Sequence, residues 1–336
     1  MAQTNGAGGA RNAMSQHWAT ISEAGVATGL RIMVWIYTHL GRVVFSIILF
    51  PVMVYFFVRR RVARNASRDY LRRVKREYPD RLRGAPDLWM SLRHFLAFGE
   101  SLLDKYIALV EPPGDIDMNP DERQLVVSVV ESGKGVLLIG SHFGNLEYSR
   151  GIADRHPDLV INILIYDQHA ANFAKILDSS RPEARLNLIQ VTDLNLDLAI
   201  RLKEKVGRGE WLLIAGDRVP VGEGDNVCAA TFFGDSADFP IGPHVLASLL
   251  RCPVYLMHCY RKDRDYHLGM ELFAEEIGPS RVGKRRTYKR EVQKFATALE
   301  QQVRLAPLQW FNFYDFWGER SIPQLQTASL RDHDQD

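Results

Sequence analysis

The chain is poor in cysteine, with three in 336 residues, and that scarcity excludes much. Cys228, Cys252 and Cys259 have no paired metal spacing and an odd count, so a zinc ribbon or a disulfide framework is not available. Cys252 and Cys259 lie in or beside an apolar run and read as reduced structural thiols, as in a cytoplasmic domain. No two-histidine helix motif is present, so a zinc hydrolase lacks its ligands and no metal is expected. The Gly-x-Gly-x-x-Gly and Gly-Lys-Ser/Thr patterns are both missing, which weakens any phosphate-cradling reading of Gly140 to Asn145. There is no internal repeat. No small-residue cleavage pattern follows the first apolar region, so a cleaved signal peptide is not expected.

Acidic residues are scarce in one stretch above all. Between Arg59 and Arg76 stand nine Lys or Arg against the single acid Asp69, and the rest of the chain holds 33 basic and 39 acidic residues. The net charge of +2 is therefore local in origin. What precedes the cluster explains it: Val43 to Val58 is sixteen residues without a formal charge, closed by Arg59-Arg60-Arg61. Ile32 to Leu40, just upstream across Gly41-Arg42, is also apolar. A spanning helix needs about 20 apolar residues, so this one is slightly short and Pro51 predicts a kink. Arg42 can snorkel to lengthen the span. The arginines put the following end in the cytoplasm and suit an anionic leaflet, which accounts for the charge better than a nucleic-acid partner does. Membrane insertion, spanning or re-entrant, is the expectation; the alternative is a buried helical hairpin of a soluble domain.

The chain divides into a flexible N-terminus (1–28), a membrane-inserted segment (29–62), an α/β domain (63–323) and a disordered tail (324–336). Arg59 to Glu77 reads as a basic helix. Asp87 to Val110 has helical periodicity, with Leu88, Leu92, Phe95, Leu96, Leu102, Leu103 and Tyr106 as candidate core positions. Beyond Glu111-Pro112-Pro113-Gly114 the pattern alternates. Strands are expected at Val136–Ile139, Val160–Tyr166, Leu186–Val191, Trp211–Ala215 and Pro253–Tyr260, with an edge strand at Tyr266–Phe273. Between and after them, helices are expected near Glu122–Ser132, up to Asp154, at Ala170–Leu177, at Leu196–Val206, after Phe239-Pro240-Ile241-Gly242-Pro243, and at Tyr288–Leu305. This is an α/β fold with a mostly parallel central sheet flanked by helices.

Ligands of such sheets collect at the carboxyl ends of the strands. Two polar turns sit there: Ser141 to Glu147 after the first strand, and Gly216-Asp217-Arg218 after the fourth. Five helical steps of about 100° keep His142 and Glu147 off one helix face. They meet if His142 occupies the turn and Glu147 the first helical turn, with Gly144 supplying the bend. A carboxylate so placed fixes one ring nitrogen and leaves the other to take a proton from a substrate hydroxyl, which points to acyl transfer. Backbone amides at the start of the following helix, or Arg218, would serve the oxyanion. Each residue also has a plainer reading: Glu147 as a first-turn acid, Asn145 as a helix cap, Asp217 and Arg218 as a surface ion pair.

His142 to Glu147 resembles the HxxxxD/E motif of glycerolipid and lipid A acyltransferases. The N-terminal apolar segment, the basic stretch after it, and the aromatic block Pro307 to Tyr314 are closest to the bacterial lipid A lauroyl/myristoyl acyltransferases. The resemblance covers about Ile32 to Trp317. It implies His142 as general base and Glu147 as its orienting carboxylate, with Gly144, Asn145, Asp217 and Arg218 near substrate. Arg218 would meet a phosphate or the acyl donor. Cys252-Pro253-Val254-Tyr255-Leu256 resembles a structural block. The interior of the motif, Phe-Gly-Asn-Leu, departs from the usual residues, which leaves the acceptor open among lipid A, a glycolipid, an aminolipid and a polyene lipid. The family implies no cofactor, an acyl-acyl carrier protein or acyl-CoA co-substrate, and a bacterial inner-membrane location with the catalytic domain on the cytoplasmic face. Lys284-Arg285-Arg286 with Lys289-Arg290 would suit an acidic carrier protein. A thioesterase or a non-catalytic relative of the same fold is the alternative.

Overall fold

The structure, a computed structural model, describes residues 23–110, 116–165, 186–191, 196–219, 226–263, 265–278, 281–282, 285–286 and 288–318. The tail after 323, the helix expected at Ala170–Leu177, most of the flexible N-terminus and Lys284 lie outside them. The chain divides into two compact units, Met1–Val58 and Arg59–Asp336.

In the first unit, helix α1 (Glu23–Arg59) contains a stretch from Trp35 to Arg59 of mean hydropathy 2.1, long and apolar enough to cross a membrane. Val43 is 74 % exposed and Ile47 66 %, a surface that protein does not cover. The expected bend is found elsewhere than Pro51: that proline sits inside the helix, and the non-helical backbone is at Gly41, with φ +77°. Only a residue without Cβ takes that conformation readily, whereas proline is held near −65°.

The second unit opens with α2 (Arg61–Glu77), whose buried Ala63, Ala66, Ser67, Tyr70, Leu71 and Val74 recur every three or four positions as one stripe. Its arginines are not all left for lipid. Arg73 Nε donates to Asp235 at 2.8 Å, and its guanidinium lies 4.4 Å from the Trp317 ring centroid. Helix α3 (Leu88–Val110) starts where Asp87 Oδ1 accepts from the Met90 amide, an N-cap bond. Of the apolar positions expected to face the core, Phe95 and Leu103 are buried. Leu88 and Leu102 are exposed (52 % and 48 %), while Ser91 and His94 are fully buried.

Helix α4 (Pro120–Glu131), closed by an Asn119–Glu122 capping box, leads to β1 (Leu137–Gly140). A 3₁₀ turn (Leu146–Ser149) and α5 (Arg150–Arg155) follow, then β2 (Ile161–Ile165), β3 (Leu186–Gln190), α6 (Leu196–Gly207) and β4 (Trp211–Ala215). After these come the strands β5 (Val227–Phe232) and β6 (Asp235–Pro240), α7 (Gly242–Leu250), β7 (Val254–Lys262), β8 (Asp265–Ala274), the short β9 (Arg281–Val282) and β10 (Arg285–Arg286), and α8 (Lys289–Val303). Six strands form one sheet in the order β3-β2-β4-β1-β7-β8. The first five run parallel and β8 is antiparallel to β7. Alternate residues feed two cores: Leu137, Ile139, Leu212 and Ile214 face one side, Val136, Leu138, Trp211 and Leu213 the other. The fold class is α/β with a mostly parallel sheet, as the sequence pattern implies.

The β5–β6 hairpin is absent from the sequence reading. Its two-residue turn, Phe233-Gly234, takes positive φ at both positions (49° and 76°), the geometry that hairpins prefer. Asn or Asp is the usual first residue there. Phe233 tolerates it because its ring is fully buried against Tyr70, Tyr78 and Trp317.

Candidate active site

Strand pairing builds the site. β1 and β4 are neighbours, with Gly140 opposite Ala215. His142 and Asp217 each stand two residues past that pair, so the two turns lie side by side at the carboxyl edge. The His142 Nδ1 nitrogen and Asp217 Oδ1 are 2.8 Å apart, and the His142 amide donates to Asp217 Oδ2 at 3.0 Å. Trp310 Nε1 donates to the same Oδ2 at 3.0 Å. Three N–H groups thus converge on a carboxylate that is 1 % exposed.

The electrostatics follow from this. Burial alone would raise the Asp217 carboxyl, but His142 and Arg218 outweigh it and pull it down to about 2. Enclosure of the imidazole lowers His142 below an ordinary histidine; Asp217 opposes that effect, while Arg218 and Lys105 add to it. At neutral pH the pair is an ionised carboxylate and a neutral imidazole. An acceptor at Nδ1 requires the proton there, so Nε2 carries the lone pair. The His142 side chain is 38 % exposed. Among the described residues, Nε2 has no hydrogen-bond partner.

The carboxylate on Nδ1 is therefore that of Asp217, where the sequence reading had Glu147. Glu147 lies in the 3₁₀ turn and pairs with Lys105 of α3. A tight 3₁₀ turn in place of an α-helix carries its side chain toward α3. Asn145 is only 2 % exposed. Its amide, turned to satisfy its neighbours, accepts from the Lys105 backbone N–H at 2.9 Å and donates to Glu147. Gly144 has φ +69°, and a Cβ there would lie 1.9 Å from the Cys259 carbonyl oxygen. Its role in the structure is close approach to β7, not an open contact surface.

The amides of the turn ahead of the 3₁₀ helix are engaged within the protein. His142 N–H bonds Asp217, Phe143 N–H bonds Ser141 Oγ, Gly144 N–H bonds the Gln309 carbonyl, and Asn145 N–H bonds that of Cys259. Arg218 is exposed; its Nη2 donates to the Phe311 carbonyl at 2.7 Å, leaving further N–H groups of its fork. Phe311 N–H in turn donates to the His142 carbonyl at 3.1 Å.

Two participants escaped the sequence reading. Lys105 sits in a helix whose periodicity marks only apolar positions. Trp310 belongs to the aromatic block read as packing, and it does pack, against Tyr70, Phe232 and Phe316. Its indole N–H was the available signal, because a buried tryptophan seeks an acceptor. Among the described residues no group of three or more His, Cys, Asp or Glu is arranged to hold a metal.

Comparison with known proteins gives one family. A model described as bacterial lipid A biosynthesis acyltransferase matches residues 119–318, a span that includes His142, Glu147, Asp217, Arg218 and Trp310. No curated protein matches the chain.

Proposed function

The chain belongs to the bacterial lipid A biosynthesis acyltransferase family, and on that premise we propose that it is a membrane-associated O-acyltransferase. It moves an acyl chain from an acyl-acyl carrier protein or acyl-CoA thioester to a hydroxyl of a lipid or glycolipid acceptor. His142 is the general base, and Asp217 orients it. The observation that carries this reading is the bond from Nδ1 to a buried, ionised Asp217, which leaves Nε2 to receive a proton.

In the reaction, the acceptor oxygen attacks the thioester carbonyl carbon as its proton passes to Nε2. The imidazolium that forms is stabilised by Asp217. Negative charge gathers on the former carbonyl oxygen. The exposed Arg218 guanidinium, which keeps N–H groups beyond its bond to the Phe311 carbonyl, is the donor for that charge. Collapse breaks the carbon–sulfur bond, and the thiolate takes the proton back from Nε2. The dyad is restored without a covalent enzyme intermediate. Glu147 holds the Lys105 ammonium beside the site, and both Lys105 and Arg218 favour anionic groups of donor or acceptor.

The exposed apolar surface of α1 supports anchorage in the inner membrane, and the arginines that follow it support a cytoplasmic catalytic unit. The test is transfer of a labelled acyl chain by the full-length protein in detergent, with and without a hydroxyl-bearing lipid. His142→Ala should abolish transfer while the protein stays folded. Full activity in that variant ends the proposal, and label released as free acid without acceptor would turn it toward a thioesterase.

A further inference from the structure

A buried histidine, His94 of α3, lies behind the dyad. It is fully buried, and its ring bridges two elements. His94 Nε2 lies 3.0 Å from the Trp310 carbonyl oxygen, and His94 Nδ1 lies 3.0 Å from Ser67 Oγ of α2. Ser91 Oγ donates to Ser67 Oγ at 2.9 Å. These partners fix the tautomer: a carbonyl accepts only, so Nε2 carries the proton and Nδ1 accepts from Ser67. Burial also lowers His94 to about 4, so its ring stays neutral at neutral pH. The polar chain then has one direction throughout. Ser91 donates to Ser67, Ser67 to His94, and His94 to the main chain of Trp310, whose indole donates to Asp217.

We propose that His94 is a positioning residue for the catalytic base, acting through Trp310 and Asp217 to set the orientation and basicity of His142. The proposal rests on the functional reading above, since it assigns His94 a part in the same site. Its physical basis is the hold on Trp310 from both sides. The Tyr70 hydroxyl donates to the Pro307 carbonyl at 2.6 Å and its ring meets the Trp310 ring edge-on at 5.0 Å. His94 stacks on Phe313 at 4.6 Å. Apolar contacts confine the indole, but the bond from His94 fixes the height of its peptide, and with it the reach of Nε1 to Asp217 Oδ2. A hydrophobic core side chain at 94 would fill the same volume without that constraint. The serine pair extends the constraint to α2, so a displacement of the α2–α3 pair would be felt at the dyad.

The test compares two side chains that divide the histidine's contacts. In His94→Gln the terminal amide reaches the position of Nε2 and keeps the donor to Trp310. In His94→Asn the shorter amide keeps the Ser67 contact and loses the Trp310 carbonyl. The full-length protein in detergent is followed by the acid limb of kcat and by ring-nitrogen NMR titration of His142. Glutamine should leave kcat within about twofold. Asparagine should lower it about tenfold at constant KM and move the His142 midpoint by about half a pH unit, a threefold change in its protonation equilibrium. On a Trp310→Phe background, asparagine should add no further shift, because the path is already cut. Equal behaviour of the two variants, an unmoved midpoint in His94→Asn, or an additive shift would each overturn the proposal. The NMR midpoint does not depend on which reaction the protein catalyses. If His142→Ala retained transfer, the functional reading would fail while the titration still judged the link between His94 and His142.

Discussion

Replacing Asp217 by asparagine tests the site most sharply, because the carboxylate accepts from three N–H groups at once. An asparagine can meet this set in two ways, and neither works. With its NH₂ toward His142 Nδ1, it demands an acceptor there; the ring proton moves to Nε2 and the base loses its lone pair. With its NH₂ on the other side, it confronts the His142 amide and the Trp310 indole, both donors. The same swap in a Ser-His-Asp triad costs about 10⁴ in turnover through the wrong tautomer, and a single acid–base contribution is worth about 10²–10⁴. Transfer by Asp217→Asn should therefore fall at least about 10²-fold. Stability should change too. Asp217 sits at about 2 in the folded protein against an ordinary 3.8, which corresponds to about 2 kcal/mol at neutral pH. Its folded value is depressed, so this contribution is present above pH 4 and lost as pH falls through 2. The thermal midpoint of the variant should lie below the wild type at pH 7, and the gap should narrow toward pH 2. Acyl-transfer kinetics beside calorimetry would read both. Turnover within threefold of wild type would refute the dyad.

Glu147→Gln should reduce turnover less than Asp217→Asn, by about tenfold, and combining it with Lys105→Met should be non-additive, as for two residues sharing one contact. Gly144→Ala should destabilise by more than about 2 kcal/mol in a denaturant titration, because positive φ and the Cys259 carbonyl both oppose a Cβ. His94 and His244 are each lowered to about 4 by burial. The unfolded chain takes up their protons first, so stability is full above pH 6.5 and falls steadily down to pH 4; a thermal midpoint unchanged over that range would contradict their burial. Deleting residues 1–58 should release the protein from membranes in a flotation assay, whereas tight binding that persists would move the anchor elsewhere.

The sheet was legible because its strands are nearly continuous apolar runs bounded by turns. Trp211–Ala215 matches the sequence reading at both ends, and the edge strand at Tyr266–Phe273 is found as the antiparallel β8. The hairpin was not, since its turn is Phe-Gly and its strands carry Ala, Ser and Asp. The two turns of the candidate site could be read as strand-end loops, but not as neighbours. Adjacency depends on the order β4-β1, which no local pattern encodes. The six-residue motif drew attention to Glu147, the carboxylate near in sequence, while the one across the sheet holds the ring. Lys105 and His94 stayed hidden for another reason. His94 is a buried polar residue and Lys105 a partly exposed one on the same helix, and amphipathic periodicity assigns both positions to solvent.

The pairing of Gly140 with Ala215 has a consequence for how the proposed dyad tolerates change. The gap between imidazole and carboxylate is ruled by the pitch of adjacent strands, about 4.8 Å, which main-chain hydrogen bonds keep constant whatever side chains surround it. Phe143 and Asn145 are themselves buried and Gly144 leaves no room for a Cβ, so the turn that carries the imidazole is held as firmly as the strands that set its distance.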